Sequence, residues 1–294
     1  MGPSDVKEGA VTVDGLDLRY VVEGSGPRCL IIGSPTYYRR AFSLRFKSSL
    51  RCASADTRIV APGPAPGLVA DHFTIELAVA DLEEVRKALG WEKVAVVGHS
   101  MHALMALEYA KRYPARVSHA VMIAMAPNLS SQAMAIGEEY WRSQASDERK
   151  EVWTRNQARL TPELLSRLTE GEAFIARYVA DGPRRLYDMH YDASWMWKDI
   201  VLHNMKGFTH IMREVLPTYD VLAGLGELQV PVFLAVGRHD YGIPPHLWDD
   251  VRHCFTDLTY LVFEHSGHHP MLEEPERFDS EVIAWVNTHR SAAV

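Results

Sequence analysis

The stretch VAVVGHSMHALMALEYAKRYP (residues 94–114) decides the fold. Its opening residues VAVV form an apolar run that is typical of a strand buried on both faces. The Leu-, Ala- and Met-rich sequence after Ser100 predicts a helix, with Pro114 just past its end. The sharp turn between strand and helix is GHSMH (residues 98–102). It matches the pattern G-x-S-x-G except at the last position, where His102 replaces the glycine.

Strand and helix patterns alternate on both sides of this stretch. Strand patterns occupy residues 11–24 (two strands around a turn at Asp14-Gly15), 28–33, 50–58, 93–98, 117–127, 231–240 and 259–265, and helix patterns occupy 73–90, 100–113, 245–253 and 275–290. This alternation predicts an α/β fold with a mostly parallel sheet that is covered by helices on both faces.

Residues 128–222 interrupt the alternation with helical patterns that are rich in large side chains. We expect this block to form a helical cap domain above the sheet, and residues 1–127 and 223–294 to form the core domain. The aromatic side chains of the block are Trp141, Trp153, Tyr178, Tyr187, Trp195, Trp197 and Phe208. We expect some of them to form the block's own core and others to line a pocket over the carboxyl edge of the sheet, where such folds bind ligands. Trp195 and Trp197 are our candidates for the pocket.

The composition indicates a globular protein and argues against several kinds of partner. The 294 residues carry a net charge of −7, with acids and bases mixed along the chain, so nucleic acid is not an expected partner. No window reaches the ~18 apolar residues of a membrane span. Residues 1–11 lack the apolar stretch of a signal peptide, and Val6 replaces the Ser or Thr of a myristoylation motif.

The cysteines indicate the redox compartment. Cys29, Cys52 and Cys254 are odd in number and show no C-x-x-C spacing, so we expect neither a disulfide framework nor a zinc site. A reducing compartment suits free thiols, and we therefore expect a cytoplasmic location. No cofactor is expected, and the sequence predicts no particular oligomeric state.

Ser100 is the candidate nucleophile. A serine hydroxyl attacks only when a general base removes its proton, and the base needs an orienting acid. On a strand-to-helix turn the partners are expected in the order Ser, Asp, His, each just beyond a later strand. Asp240 ends the strand pattern 231–240, and His268 follows the strand pattern 259–265.

Each partner has competing candidates nearby. Asp249 and Asp250 are alternatives for the acid, but they fall within the next helix pattern. His265 and His269 are alternatives for the base; the loop Ser266-Gly267 favours His268. These histidines could suggest a metal site, but no acid or cysteine completes a zinc-like spacing, so none is expected.

The chain resembles the α/β-hydrolase superfamily over essentially its whole length, and within it the proline-iminopeptidase-like and esterase branch. The motifs that carry the resemblance are the elbow VVGHSM (96–101), the acid turn GRHDYGIPP (237–245), the histidine turn SGHHPMLEEPERF (266–278), the loop IGSPT (32–36) and the element ADTR (55–58).

The resemblance implies roles for particular residues. Ser100 is implied as nucleophile, His268 as base and Asp240 as orienting acid. The backbone N–H groups of Ser34 and Met101 are implied as the oxyanion hole. The fold it implies is a mostly parallel eight-stranded sheet, with the cap inserted after the sixth strand.

Three positions depart from the family pattern. Ile32 stands where the branch usually has His, Ile59 replaces a glycine, and His102 replaces the elbow glycine. One hypothesis is that the His102 imidazole replaces in space the one that is absent at position 32. The alternative is that His102 packs against the cap or the pocket wall.

The expected reaction is cleavage of a small, apolar or aromatic carboxylic ester or lactone through an acyl-enzyme. Ser at position 100, rather than Asp, argues against epoxide hydrolase and haloalkane dehalogenase chemistry. An aminopeptidase is an alternative and would need acidic residues in the cap; Glu138, Glu139, Glu170 and Glu172 are available. The fold also allows a slow-turnover ligand receptor or cofactor-independent oxygen chemistry.

Overall fold

A computed structural model describes residues 6–62 and 68–290, and within them one eight-stranded sheet. The strands are β1 (Lys7–Val13), β2 (Leu16–Glu23), β3 (Arg28–Ile32), β4 (Arg51–Ala55), β5 (Val94–His99), β6 (Val117–Ile123), β7 (Val232–Gly237) and β8 (Leu258–Phe263). Their order in the sheet is β1-β2-β4-β3-β5-β6-β7-β8. The first five residues, which belong to the segment discussed above for signal peptides and myristoylation, lie outside the described residues.

The sheet is parallel from β4 to β8, while β1 and β2 form an antiparallel hairpin at one edge. The hairpin turn lies at Asp14 and Gly15, both with positive φ, as the sequence predicts. The expected α/β fold with a mostly parallel eight-stranded sheet is therefore confirmed.

Alternating side chains along the central strands divide the core into two layers. Leu30 and Ile32 of β3 pack in one buried cluster, whereas Cys29 and Ile31 pack in another. Because successive side chains of a strand point to opposite faces, the two clusters lie on opposite faces of the sheet. The central strands are therefore buried on both faces, which explains their continuous apolar runs.

The helices are α1 (Pro35–Ala41), α2 (Leu44–Ser49), α3 (Ile75–Ala88), α4 (Met101–Arg112), α5 (Ser131–Gln144), α6 (Asp147–Ala158), α7 (Pro162–Leu165), α8 (Glu170–Ala180), α9 (Gly182–Arg185), α10 (Met205–His210), α11 (Pro270–Glu273) and α12 (Pro275–Arg290). Shorter 3₁₀ or π turns lie at Ala70–His72, Ser194–Trp197, Ile211–Val215, Leu216–Thr218, Leu225–Glu227, Pro245–Trp248 and Arg252–Cys254.

The prediction of a helix near residues 245–253 is wrong. The structure has two 3₁₀ turns there, Pro245–Trp248 and Arg252–Cys254. Trp248 is completely buried and donates its indole N–H to the Met125 carbonyl oxygen. This tertiary anchor fixes the segment without a regular helix.

Helices α5 to α10 lie in sequence between β6 and β7, in the segment 128–222, which we call the cap segment. Its aromatic residues divide between several environments: Trp141 and Trp153 pack against each other, at 6.1 Å between ring centroids, while Trp195 is 43% exposed. Whether the cap segment is a separate domain stays a prediction. Within the described ranges, no helix has the length and apolar character to span a bilayer.

Candidate active site

The turn between β5 and α4 holds Ser100 in a strained conformation. Its φ is 57° and its ψ is −135°, a region that few residues other than glycine adopt. The Ser100 amide donates to the Ile123 carbonyl oxygen at 2.9 Å, which ties the turn to β6. Gly98 is required because a Cβ there would lie 2.0 Å from the His102 carbonyl oxygen. This strand–turn–helix geometry is that of a nucleophile elbow.

A buried acid–base pair is formed by the residues that follow β7 and β8. His268 Nδ1 donates to Asp240 Oδ2 at 2.5 Å, and the two residues are 2% and 1% exposed. Asp240 Oδ1 accepts the amides of Gly242 and Ile243, both at 3.2 Å. The carboxylate is thus held in place and fixes the orientation of the imidazole.

The other nitrogen of His268 remains available for proton transfer. Its Nε2 is buried and has no hydrogen-bond partner in the described part of the chain, so Ser100 and His268 are not hydrogen-bonded to each other in this structure. The structure therefore joins the predicted acid and base directly. The role of Ser100 as their nucleophile stays a prediction.

The competing candidates for base and acid lie elsewhere. His265 is exposed and packs edge-to-face against Tyr187, at 5.2 Å between ring centroids. His269 is buried, but its Nε2 contacts the Tyr37 hydroxyl at 2.8 Å rather than a carboxylate. Asp249 and Asp250 are both exposed.

The two candidate oxyanion donors lie at the starts of helices. Met101 is the first residue of α4, where helix geometry leaves its N–H unpaired. Ser34 precedes α1, and its hydroxyl oxygen accepts the Tyr37 amide at 3.4 Å. Both residues line the cavity above Ser100. An anion placed between them would also meet the positive ends of the helices.

His102 packs against the loop that carries Ser34. A Cβ added to Gly33 would lie 2.8 Å from His102 Cε1 and 3.0 Å from Nδ1. His102 Nδ1 also contacts the Tyr38 hydroxyl at 3.1 Å. Burial lowers the pKa of His102 to about 4, so the ring is neutral at pH 7. The imidazole therefore supports the loop that carries Ser34 and also forms part of the cavity wall.

His99, which the motif treats as a free position, has a structural role that our sequence analysis missed. Its Nε2 donates to the His268 carbonyl oxygen at 2.8 Å, and its ring centroid lies 4.8 Å from that of His268. Burial holds the pKa of His99 well below its ordinary value. A neutral His99 thus anchors the loop of the candidate base to the elbow.

Above Ser100 lies a mostly apolar cavity of about 170 Å³. Its walls are formed by Ser34, Tyr37, Tyr38, Ile59, Val60, His99, Ser100, Met101, His102, Phe174, Tyr178, Arg185, Trp197, Ile200, Leu202, Met205, Phe208 and Met212. Of the three predicted pocket residues, His102 and Trp197 line this cavity. Trp195 does not: its indole N–H donates to the Tyr191 hydroxyl at 3.1 Å on the exposed side of the segment.

Tyr37, Tyr38, Tyr178 and Arg185 are cavity residues that we did not predict as site residues. Nothing in the sequence around Tyr37 or Tyr38 signals a contact with a histidine more than 60 residues away. Among the residues described, no group of three or more His, Cys, Asp or Glu side chains is arranged to hold a metal ion.

Comparison with known proteins places the chain in a family. The family model for the alpha/beta hydrolase fold matches residues 13–275. The chain belongs to the α/β-hydrolase family. It is 34% identical over 275 residues to the AB hydrolase superfamily protein YclE of Bacillus subtilis, covering 93% of this chain and 96% of that protein.

One further relative and one solved structure are less similar in sequence. The chain is 25% identical over 226 residues to pimeloyl-acyl-carrier-protein methyl ester esterase of Aliivibrio fischeri, covering 73% of this chain and 79% of that protein. The crystal structure of proline iminopeptidase from Mycobacterium smegmatis superposes with a TM-score of 0.71 at 18% identity, over 98% of this chain and all (100%) of that one. The latter likeness shows the fold alone.

Proposed function

We propose that this protein is a serine hydrolase that cleaves a small, apolar or aromatic carboxylic ester or lactone. One observation carries the proposal: the strained Ser100 lines an apolar cavity, and the ring of its neighbour His99 lies 4.8 Å from the ring of His268, which is paired with the buried Asp240. The family relationship supports hydrolase chemistry, and one relative's name describes an ester cleavage.

In the proposed mechanism, His268 Nε2 takes the Ser100 hydroxyl proton as Ser100 Oγ attacks the ester carbonyl carbon. The carbonyl oxygen becomes an oxyanion, which the N–H groups of Ser34 and Met101 stabilise. The imidazolium then gives its proton to the leaving alcohol, and the acyl-enzyme forms. Water, deprotonated by His268, releases the acid and restores Ser100. Asp240 stabilises the imidazolium in both halves.

The size of the cavity limits the substrate. A cavity of roughly 150 Å³ with apolar walls holds a benzene ring in another protein. The cavity here is about 170 Å³ and is lined by the side chains of Phe174, Trp197 and Phe208, among others. We therefore favour short acyl chains or a single aromatic ring over long fatty acids.

The charges around the cavity favour an ester over a peptide with a free N-terminus. An aminopeptidase needs carboxylates to bind the substrate ammonium, and no Asp or Glu of the described ranges lines the cavity. Its charged lining residue is Arg185, which would repel an ammonium. The four acidic candidates have other places: Glu138 pairs with Arg184, Glu139 pairs with Arg142, Glu172 caps α8, and Glu170 lies exposed in its first turn.

The proposal also includes a cytoplasmic location and a cap above the active site. The cysteines Cys29, Cys52 and Cys254 are free, which supports a reducing, cytoplasmic location. The position of Trp197, Phe208 and Tyr178 over Ser100 supports a cap that forms the upper wall of the active site.

A substrate series tests the proposal. The protein is assayed with p-nitrophenyl acetate, butyrate, dodecanoate and benzoate, and with proline p-nitroanilide, beside a His268→Ala variant as control. We expect the wild type to hydrolyse the acetate, butyrate or benzoate ester at a steady rate. The kcat of His268→Ala for the same ester should be lower by at least ~10³-fold. Preference for the proline anilide would support the aminopeptidase instead. A single turnover with no steady rate would support the receptor.

A further inference from the structure

A cation lies in the wall of the otherwise apolar cavity. Arg185 ends α9, and its carbonyl oxygen accepts the His268 amide at 2.5 Å. Its side chain lines the cavity and is 32% accessible. The cap segment thus brings a guanidinium next to the loop of the proposed base.

The guanidinium is held in place but keeps donors free. Arg185 Nε donates to Asp181 Oδ2 at 2.9 Å, and the group lies 4.6 Å from the Tyr178 ring centroid. Asp181 is itself fixed, since its Oδ1 accepts the Trp153 indole N–H at 2.9 Å. The four N–H groups on Nη1 and Nη2 of Arg185 have no hydrogen-bond acceptor among the residues that the structure describes. Such a fixed, two-pronged donor matches the geometry of a carboxylate.

Two phenol groups lie beside the guanidinium. The hydroxyls of Tyr37 and Tyr178 lie 2.8 Å and 3.3 Å from the same atom, His269 Nε2. Burial raises the pKa of Tyr178 to about 12 and that of Tyr37 well above its ordinary value, so both keep their protons. A single ring nitrogen accepts only one proton. The two hydroxyls also hydrogen-bond to each other, so the second phenolic proton has an acceptor in the neighbouring phenol oxygen. The Nη groups of Arg185 are therefore the donors that remain for a ligand.

From this arrangement we infer that the preferred ester carries a carboxylate, which Arg185 binds through Nη1 and Nη2. The inference rests on the proposed function and narrows its substrate class. Because Asp181 compensates part of the Arg185 charge, recognition depends on the directed N–H groups as well as on charge.

Matched ester pairs test the inference. The first pair, 4-acetoxybenzoate and its methyl ester, places the carboxylate on the leaving group. The second, 4-nitrophenyl hydrogen adipate and 4-nitrophenyl methyl adipate, places it on the acyl group. We expect the wild-type kcat/KM to favour the anionic member of at least one pair by ~10-fold or more, as a charge-assisted pair of hydrogen bonds would give.

The matched variants are Arg185→Gln, Arg185→Lys and Arg184→Gln. Arg184 is the neighbouring arginine; it pairs with Glu138 at 2.5 Å and does not line the cavity. Arg185→Gln should lose the preference, and Arg185→Lys, which keeps the charge without the planar fork, should retain part of it. Arg184→Gln should keep it in full. Equal kcat/KM within both pairs in the wild type, or a preference that survives in Arg185→Gln, would overturn the inference.

Binding to the Ser100→Ala protein separates this inference from the proposed function. Calorimetry with benzoate and with the neutral benzamide needs no turnover. Tighter binding of benzoate that Arg185→Gln abolishes would support the carboxylate subsite even if no ester were cleaved. Cleavage of neutral esters together with equal binding of benzoate and benzamide would overturn the subsite and leave the hydrolase proposal standing.

Discussion

Replacing His102 by glycine restores the family's elbow sequence, and we predict that it impairs this protein. The substitution empties the space against Gly33 and removes the 3.1 Å contact with the Tyr38 hydroxyl. Tyr38 keeps weaker contacts at 3.4 Å with Nδ1 and the carbonyl oxygen of His99. The loop that carries the Ser34 amide thereby loses its support from α4.

The expected change in the free energy of unfolding is the sum of two losses and one gain. Large-to-small changes in a core cost about 2–5 kcal/mol, and a glycine inside a helix costs about 1 kcal/mol more. Removing the unpartnered, buried His102 Nε2 returns about 1–3 kcal/mol. These terms give a net loss of roughly 0–5 kcal/mol in the free energy of unfolding, and the middle of that range, about 2–3 kcal/mol, lowers Tm by about 4–12 °C.

The effect on catalysis should appear mainly in kcat. A shift of the oxyanion donor by ~1 Å costs up to ~100-fold in rate, and it weakens an interaction made in the transition state rather than in substrate binding. We expect kcat for p-nitrophenyl butyrate to fall ~10- to 100-fold with little change in KM. The control is His102→Asn, whose side chain can keep a polar atom near the Tyr38 hydroxyl and should retain most of the activity.

The pH dependence of stability offers a second assay for the same residue. Burial lowers the pKa of His102 from 6.5 to about 4, so between these values the unfolded chain binds a proton that the folded chain excludes. The contribution of the neutral His102 to the free energy of unfolding is therefore fully present above pH ~6.5. It decreases as the pH falls, and about 3 kcal/mol of it is lost at pH 4. His102→Asn should flatten the plot of Tm against pH. A His102→Gly protein with the same kcat and Tm as the wild type would refute the reasoning.

Three further substitutions give distinct results. Asp240→Asn should lower kcat by ~10³- to 10⁴-fold, because the amide no longer holds His268 in the required tautomer; a loss below tenfold would contradict the assignment. Glu273→Gln should lower kcat and Tm together, because the Glu273 carboxylate accepts the amides of Tyr187, Gly267 and His269 around the loop of the proposed base. Trp197→Ala should raise KM for aryl esters, because Trp197 lines the cavity. Trp195→Ala should leave KM unchanged, because Trp195 is exposed and does not line the cavity; equal effects of the two substitutions would contradict the placement of the cavity.

The alternation of strands and helices and the meeting of Asp240 with His268 were predictable from the sequence. Buried strands appear as apolar runs, and the residues that follow parallel strands meet at one edge of the sheet. Local patterns therefore suffice for this part of the site.

The cavity wall was not predictable in the same way, because it depends on contacts between distant helices. Tyr37 meets His269 across 232 positions, and Arg185 lines the wall from α9, where its carbonyl oxygen accepts the amide of the distant His268. Trp195 and Trp197 belong to one 3₁₀ turn, Ser194–Trp197. With three residues per turn, positions two apart point in different directions, and the sequence does not tell which one faces inward.

Labelling with a fluorophosphonate probe tests the central claim, that Ser100 is an activated nucleophile. Wild type and Ser100→Ala are treated with the probe and analysed by intact mass, and both are assayed with p-nitrophenyl butyrate. The account predicts one adduct on the wild-type protein, steady ester hydrolysis, and the loss of both in Ser100→Ala. An unlabelled wild type, or hydrolysis that survives in Ser100→Ala, would contradict it.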